Sequence, residues 1–264
     1  MPTITGKTFA SFYKNLLGIN QSSNTGVDVT TRAVQDGAGN RTAISLSDDV
    51  LSVHPITDDT TGTMLVKNLG GSNILAVDTT NSRVLVGSSQ RVANTQYQKL
   101  SAFNLTPAAG YHYPLGLGGV GFSSAGLAED TALGNGTDPA TTLDISGASS
   151  ESNAWVQYYW HLPDAITISS ATVLMGGTSA SDSEVNFHIM SYDMDVSSNH
   201  GDLSNGAVVA SSIAFSAVDE DVIFKKLMTI NSADVAAGKV LIGTLESNTT
   251  QILSIQMNVT YFIQ

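Results

Sequence analysis

Short alternating runs of apolar and polar residues lie between residues 42 and 87 and predict β-strands. The linkers between the runs are rich in Asp, Asn, Gly and Ser, which favour tight turns. Because the runs and the linkers are both short, the pattern predicts a β-meander of short strands. The predicted strands are residues 43–46, 50–53, 64–66, 74–77 and 84–86.

Longer runs follow after residue 150 and predict a second, larger β unit. Seven or eight strands at this spacing, with almost no helical period, are typical of a two-sheet sandwich of jelly-roll type. One short helical turn is predicted at residues 232–237, where Gly238 is suited to end it. The predicted strands are residues 155–161, 166–175, 184–191, 207–215, 222–230, 239–245 and 252–263.

One amphipathic helix is predicted over residues 8–17, followed by Gly18 as its stop. A helix of two or three turns is marginal alone, so its apolar stripe needs a partner surface. That surface belongs either to the same chain or to another protein of a larger assembly, and both interpretations stay open. The stripe consists of Phe9, Phe12, Tyr13, Leu16 and Leu17.

These patterns divide the chain into four parts. Residues 1–22 carry the helix, residues 23–88 form a β-hairpin shaft module, residues 89–110 form a connector, and residues 111–264 form the sandwich. The predicted fold class is therefore mainly β with a short N-terminal helix. The apolar positions of the shaft module need a facing surface that one chain can hardly supply, which favours self-association.

The charge distribution excludes several classes of partner. Eleven Lys and Arg residues stand against 23 Asp and Glu, and no basic residue lies between Lys99 and Lys225. Nucleic-acid binding needs clustered basic residues, so no nucleic-acid partner is expected. No apolar run approaches the roughly 20 residues of a membrane helix, and the start lacks the apolar stretch of a signal peptide. We therefore expect neither membrane insertion nor Sec-type export.

Motifs for catalysis and cofactor binding are weak. The sequence at residues 116–121 matches G-x-G-x-x-G, but no helix is predicted after it, so we interpret it as a loop. Cysteine is absent, the five histidines are isolated, and neither a nucleophile elbow nor a zinc-protease motif occurs. His54 lies at a strand end, and His188 is expected to be a sheet residue. We predict no enzyme, no cofactor, and no catalytic, cofactor-binding or metal-binding residues.

Two stretches are candidates for ligand binding. Residues 193–202 offer closely spaced oxygen ligands, but they lack the Gly and Glu that an EF-hand loop requires, and a looser Ca²⁺ site stays open. The aromatic run at residues 155–161 is the best candidate for a sugar-binding surface. Strand alternation would place Trp155, Gln157, Tyr159 and His161 on one face, either as an exposed platform or packed in the core or an interface.

Six stretches of the chain have a sequence pattern that is found in known proteins. They are residues 12–18, 25–28 and 36–40, then 65–84, and finally 187–193 and 201–206. The first three look like the N-termini of fibre-like proteins of marine and environmental bacteriophages. The middle stretch is similar to the repeated β-modules of trimeric tail fibres and head fibres, and the last two resemble the distal domain of the same proteins.

The resemblance implies a structural protein of a phage particle, assembled in the host cytoplasm and located on the virion. It implies a homotrimeric fibre or spike that is anchored to other virion proteins by residues 1–22. Its sandwich would contact a host surface glycan or protein. Two alternatives stay open: a capsid decoration or head fibre protein without a receptor role, and a glycan-degrading tail spike. The resemblance brings no catalytic residues.

Overall fold

The computed structural model describes residues 16–22, 26–118, 133–145, 155–178, 184–197, 199–212, 214–216 and 221–264. Regular structure in these residues is almost entirely β-strand, which confirms the mainly-β prediction. The chain divides into two compact units, Met1–Ala93 and Asn94–Gln264.

The first unit contains two four-stranded antiparallel sheets, and in each of them strands that follow each other in sequence pair. This arrangement confirms the predicted meander of short strands. The first sheet consists of β1 (Leu17–Ile19), β2 (Arg32–Asp36), β3 (Arg41–Leu46) and β4 (Leu51–Val53). The second sheet consists of β5 (Met64–Lys67), β6 (Asn73–Asp78), β7 (Arg83–Val86) and β8 (Arg91–Val92).

Aspartates hold the turns of this unit, as the linker composition indicates. Asp78 accepts hydrogen bonds from the backbone and side-chain nitrogens of Asn81 at 3.0 and 2.8 Å. It also accepts one from Arg83 Nε at 3.1 Å. These bonds, with the Asn81 side chain first among them, lower the pKa of Asp78. The turn between β6 and β7 is therefore fixed by a charged side chain that stays ionised.

One face of the second sheet of this unit is apolar across its first three strands. Two cross-strand rows form it, one through β5, β6 and β7 at Met64, Val77 and Val84, and the next at Val66, Leu75 and Val86. On β8 the second row continues to the exposed Arg91. All six side chains are half-buried or exposed. We call these six residues the shaft face. Among the described residues of this unit, Ala76 alone is a fully buried apolar residue.

The second unit is a β-sandwich of two antiparallel sheets, as the sequence predicts; the jelly-roll topology stays a prediction. Its strands are β9 (Thr95–Leu105), β10 (His112–Pro114), β11 (Gly116–Leu117), β12 (Trp160–His161), β13 (Ile166–Gly177), β14 (Glu184–Met194), β15 (Leu203–Ser211), β16 (Phe215–Ser216), β17 (Phe224–Leu227), β18 (Thr229–Ile230), β19 (Asp234–Val235), β20 (Val240–Ser247) and β21 (Leu253–Ile263). One sheet, here the β9 sheet, has the order β11-β9-β21-β13-β17, with β19 beside β13. The other, the β20 sheet, has the order β10-β20-β14-β15-β18, with β12 beside β20 and β16 beside β14.

The main core lies between the two sheets because alternate residues of the long strands are apolar. β21 buries Leu253, Ile255, Met257 and Val259 and turns the residues between them outward. The two sheets approach closely at Gly243, where an added Cβ would lie 2.6 Å from Leu100 Cδ1. A glycine at this position lets the Leu100 side chain pack directly against the β20 backbone.

A second, smaller core lies on the outer face of the β20 sheet. Residues 133–145 and 155–158 cover that face, and Leu133, Leu143, Trp155 and Tyr158 pack there against the strands. The hydroxyl of Tyr192 donates to the Ala140 carbonyl at 2.8 Å, and Gly206 N donates to Thr141 O at 2.8 Å. These bonds fasten the first covering segment to the sheet.

Three boundaries predicted from the sequence are wrong. Residues 95–105 are not a connector: β9 pairs with β21 along most of its length and buries Leu100 and Leu105 in the main core. The turn predicted at residues 232–237 contains the short strand β19, whose Val235 packs in the core. Most of the predicted N-terminal helix lies outside the described residues, but Leu17 and Gly18 belong to β1.

Candidate functional site

A groove of about 540 Å³ runs along the outer face of the β9 sheet. Its lining comes from β9, β13 and β21 and from the loop before β17. Two large apolar side chains line it while remaining open to solvent, Phe103 at 56% and Ile223 at 77% exposure. Such exposed apolar groups beside polar ones are typical of a ligand-binding surface.

Strand pairing determines which side chains share this face, because directly paired residues point to the same side of a sheet. One row across β9, β21, β13 and β17 consists of Ser101, Gln256, Leu174 and Lys225. The next row consists of Lys99, Asn258, Thr172 and Leu227. This face of the β9 sheet is therefore mixed, with amides and hydroxyls beside leucines and a lysine at one end of each row. Of these eight residues, four line the groove itself: Lys99, Ser101, Leu174 and Gln256.

A pair of amides on this face keeps unused hydrogen-bonding capacity. Gln256 Nε2 donates to Asn258 Oδ1 at 2.9 Å, which holds the two amides together and leaves further donors and acceptors on both. The Ser101 hydroxyl has no hydrogen-bond partner among the described residues, but it is buried, so a ligand in the groove does not reach it.

The outer face of the β9 sheet carries positive charge in a chain whose net charge is −12. Lys99 lines the groove and Lys225 lies on the same face beyond it; both are exposed, and neither forms an ion pair with a residue that the structure describes. Among the described residues, no Asp or Glu lines the groove. Sequence reasoning missed this site, because the two lysines flank the long stretch without basic residues and only the fold brings them to one face.

The aromatic run at residues 155–161 is not the predicted strand. Val156–Tyr158 form a single 3₁₀ turn, and only Trp160 and His161 are in a strand. Trp155 is fully buried in the outer core beside Tyr158, with ring centroids 5.9 Å apart. The interpretation of Trp155 as part of an exposed sugar-binding platform is therefore wrong, and packing in a core is correct.

The acidic loop at residues 193–202 uses its carboxylates for structural contacts. Asp193 forms a 2.7 Å ion pair with Lys239, and this ammonium holds the pKa of Asp193 below its usual range. Asp202 accepts a hydrogen bond from Ile145 N at 2.9 Å, and Asp195 accepts one from Ser197 N at 2.7 Å. Within the described residues, no group of three His, Asp or Glu side chains is arranged to hold a metal ion.

Two histidines from different strands lie together under the covering segment of the β20 sheet. His112 and His188 are both buried, and their ring centroids lie 5.4 Å apart, edge to face. His112 Nε2 lies 2.8 Å from the Gly136 carbonyl oxygen, and His188 Nε2 lies 3.3 Å from the Asp138 carboxylate. The pair therefore helps to hold residues 133–145 on the sheet. His188 is a sheet residue, as predicted, but the sequence gives no sign of its neighbour.

The surroundings of this pair favour neutral imidazoles. Burial lowers the pKa of both rings, and the neighbouring His112 ring lowers that of His188 further. The carboxylates of Asp138 and Glu246 oppose this shift but do not reverse it. Neither Nδ1 atom has a hydrogen-bond partner among the described residues.

We expect the second unit to lose stability in acid because of this pair. A histidine whose pKa is lower in the folded than in the unfolded chain stabilises the fold at neutral pH. This contribution decreases as the pH falls below the unfolded-state value of about 6.5. Thermal unfolding of the full chain across that range measures the effect. Replacing His112 and His188 by Gln together should flatten the acid dependence, whereas His161→Gln, at an exposed ring, should not. An unchanged dependence in the double variant would contradict this assignment.

The remaining motifs do not assemble into a site. Gly116 of the glycine-rich motif lies in β11, paired with Ser101, and residues 119–121 of the motif lie outside the described residues. His54 lies after β4, where its backbone nitrogen donates to the Ala43 carbonyl. In the described part of the chain, no helix has the length and apolar character to cross a membrane.

Comparison with known proteins adds little to this geometry. Neither a protein-family model nor a curated protein matches the chain. Among solved structures, the chain is similar to the CBM22-1–GH10 modules of endo-1,4-beta-D-xylanase 10B of Clostridium thermocellum, complexed with xylohexaose. The identity is 10%, the TM-score is 0.26, and the match covers 65% of this chain but 26% of that one. At this TM-score the similarity supports no conclusion about the function of the present chain.

Proposed function

We propose that this protein is a non-enzymatic, homotrimeric fibre or spike protein of a phage particle. The observation that supports assembly is the shaft face, on which Met64, Val66, Val84 and Val86 are exposed and Leu75 and Val77 are half-buried. A unit with so small a core is marginal in water, and further copies of the chain supply the missing apolar layer. The three-fold symmetry and the virion location rest on the resemblance to phage fibres.

In this proposal the N-terminal segment, residues 1–22, anchors the protein to other virion proteins, and the sandwich contacts a host surface molecule. The groove of the β9 sheet, with the sheet face around it, is the contact surface, because this face combines exposed apolar groups with amides and lysines. Among the described residues, the lining contains no pair of carboxylates of the kind a glycosidase uses across a sugar. Binding without cleavage is therefore the activity that the groove supports.

Locating the protein on whole particles tests this function. Electron microscopy of particles labelled with an antibody against the sandwich should place it at the distal end of a projecting structure. Label lying flat on the capsid surface would favour a decoration protein, and absence from purified particles would overturn the proposal. Release of reducing ends from host polysaccharide by the purified protein, abolished by one carboxylate substitution, would instead favour a glycan-degrading spike.

A further inference from the structure

The geometry of the groove points to an acidic polysaccharide as its ligand. This inference rests on the proposed binding function and adds the chemical class of the ligand. It follows from three features of one sheet face: two lysines, a row of amides and hydroxyls, and an exposed phenyl ring.

The charge of the face is the first argument. Lys99 and Lys225 stand at opposite ends of neighbouring rows, so a ligand that lies across the four strands contacts both. Neither lysine forms an ion pair within the described residues. Asp221 lines only a smaller neighbouring cleft, which shares Ile223 with the groove. In a chain with 23 acidic residues, a basic face of this kind is complementary to an anion.

The groups between the lysines select for a sugar chain. The joined amides of Gln256 and Asn258 present both donors and acceptors, as neighbouring sugar hydroxyls require. Phe103 offers a solvent-exposed ring on the same face, against which the apolar side of a sugar ring can pack. Carboxylates of the sugar acids then pair with the lysines at the ends of the rows.

Other polyanions fit the face less well. An extended acidic peptide gains affinity by adding a strand to a sheet edge, but the groove floor lies on β9, β21 and β13, which have paired neighbours on both sides. Two lysines are also far fewer than the basic cluster that nucleic acid needs. Both classes therefore serve as comparison ligands in the test.

The test is calorimetric titration of the full-length protein with an oligosaccharide of galacturonic acid. The methyl-esterified form of the same oligosaccharide, an oligo-glutamate peptide and single-stranded DNA serve as comparisons. We expect the acidic oligosaccharide to bind, the neutral form to bind more weakly, and added salt to weaken the acidic form. Binding of the neutral form with equal affinity, or stronger binding of the peptide or the DNA, would overturn the assignment. Absence of binding by every ligand would overturn it as well.

Variants link the binding to the groove. Replacing Lys99 and Lys225 by Gln together should weaken binding roughly 5- to 30-fold, from two exposed ion pairs. Phe103→Ala should weaken it roughly 3- to 10-fold. Lys226→Gln, on the same strand but in register with the core residue Val173, is the matched control and should leave the affinity unchanged. Equal effects of Lys226→Gln and the double variant would contradict the inference.

The titration tests the ligand class separately from the proposed function. Titration uses purified protein and does not depend on the particle, whereas the fibre proposal depends on where the protein lies on the particle. If labelled particles show a distal fibre but the acidic oligosaccharide does not bind, only the ligand class is wrong.

Discussion

Replacing Trp155 with alanine is expected to lower the free energy of unfolding of the second unit by about 3–5 kcal/mol. The indole is fully buried in the outer core of the β20 sheet, packed edge to face on Tyr158. Its removal leaves a cavity between the sheet and the covering segments, in addition to the lost transfer free energy. Urea unfolding followed by circular dichroism measures the loss.

The neighbouring residue provides the control for this substitution. Val156 is 72% exposed, so Val156→Ala should change the stability by no more than about 0.5 kcal/mol. A loss below about 1 kcal/mol for Trp155→Ala would mean that the indole lies on the surface, as an alternating strand would place it. The comparison therefore distinguishes a buried cover segment from an exposed aromatic platform.

Placing a carboxylate on the shaft face is expected to dissociate the assembly. Val84 lies on β7 in the row with Met64 and Val77 and is 38% exposed in a single chain, where an Asp would meet solvent. In an assembly that buries this face the same charge would lose its hydration, at a cost of several kcal/mol. Light scattering of Val84→Asp should therefore give the mass of one chain.

A matched control separates this effect from a general effect of added charge. Leu69 lies in the turn between β5 and β6, is fully exposed, and is not part of the shaft face. Leu69→Asp adds the same charge and should keep the mass of the unsubstituted protein. If Val84→Asp also keeps that mass, the shaft face is not the surface on which copies of this chain assemble.

The long strands of the sandwich were predictable from their apolar residues. β13 and β21 largely alternate between buried and outward residues. β14 is buried on both faces from Phe187 to Tyr192, because the main core lies on one side of it and the outer core on the other. The prediction placed all three strands with small errors at their ends. β9 was missed because the hydropathy of its buried residues differs little from that of its outward residues. It turns Phe103 outward and places the small Ala102 in the core. Hydropathy cannot identify a strand whose largest apolar residue faces solvent.

The aromatic run at residues 155–161 was not predictable for a different reason. Trp155 and Tyr158 lie three residues apart, and one 3₁₀ turn brings both onto the sheet. Tyr158 and Trp160 lie two residues apart, which matches the period of a strand, so the spacing of the aromatic residues does not separate a strand from a turn. The tertiary packing decides between them, since this segment covers a sheet instead of joining one.

The groove was not predictable, because its chemistry is assembled by strand order. Lys99 and Lys225 come onto one face only because β9 pairs with β21, β21 with β13, and β13 with β17. No spacing rule in the sequence connects these four strands. The turn aspartates and the shaft strands were predictable for the opposite reason, since they depend on residues close together in the chain.

The most direct test of the account is the mass of the purified full-length protein in solution. Multi-angle light scattering should give three times the 27.5 kDa of one chain. The exposed shaft face predicts that copies associate, and the number three comes from the resemblance to trimeric phage fibres. The first unit should then unfold together with the loss of the assembly. A mass near 27.5 kDa, with a separate cooperative unfolding transition for the first unit, would contradict the proposal.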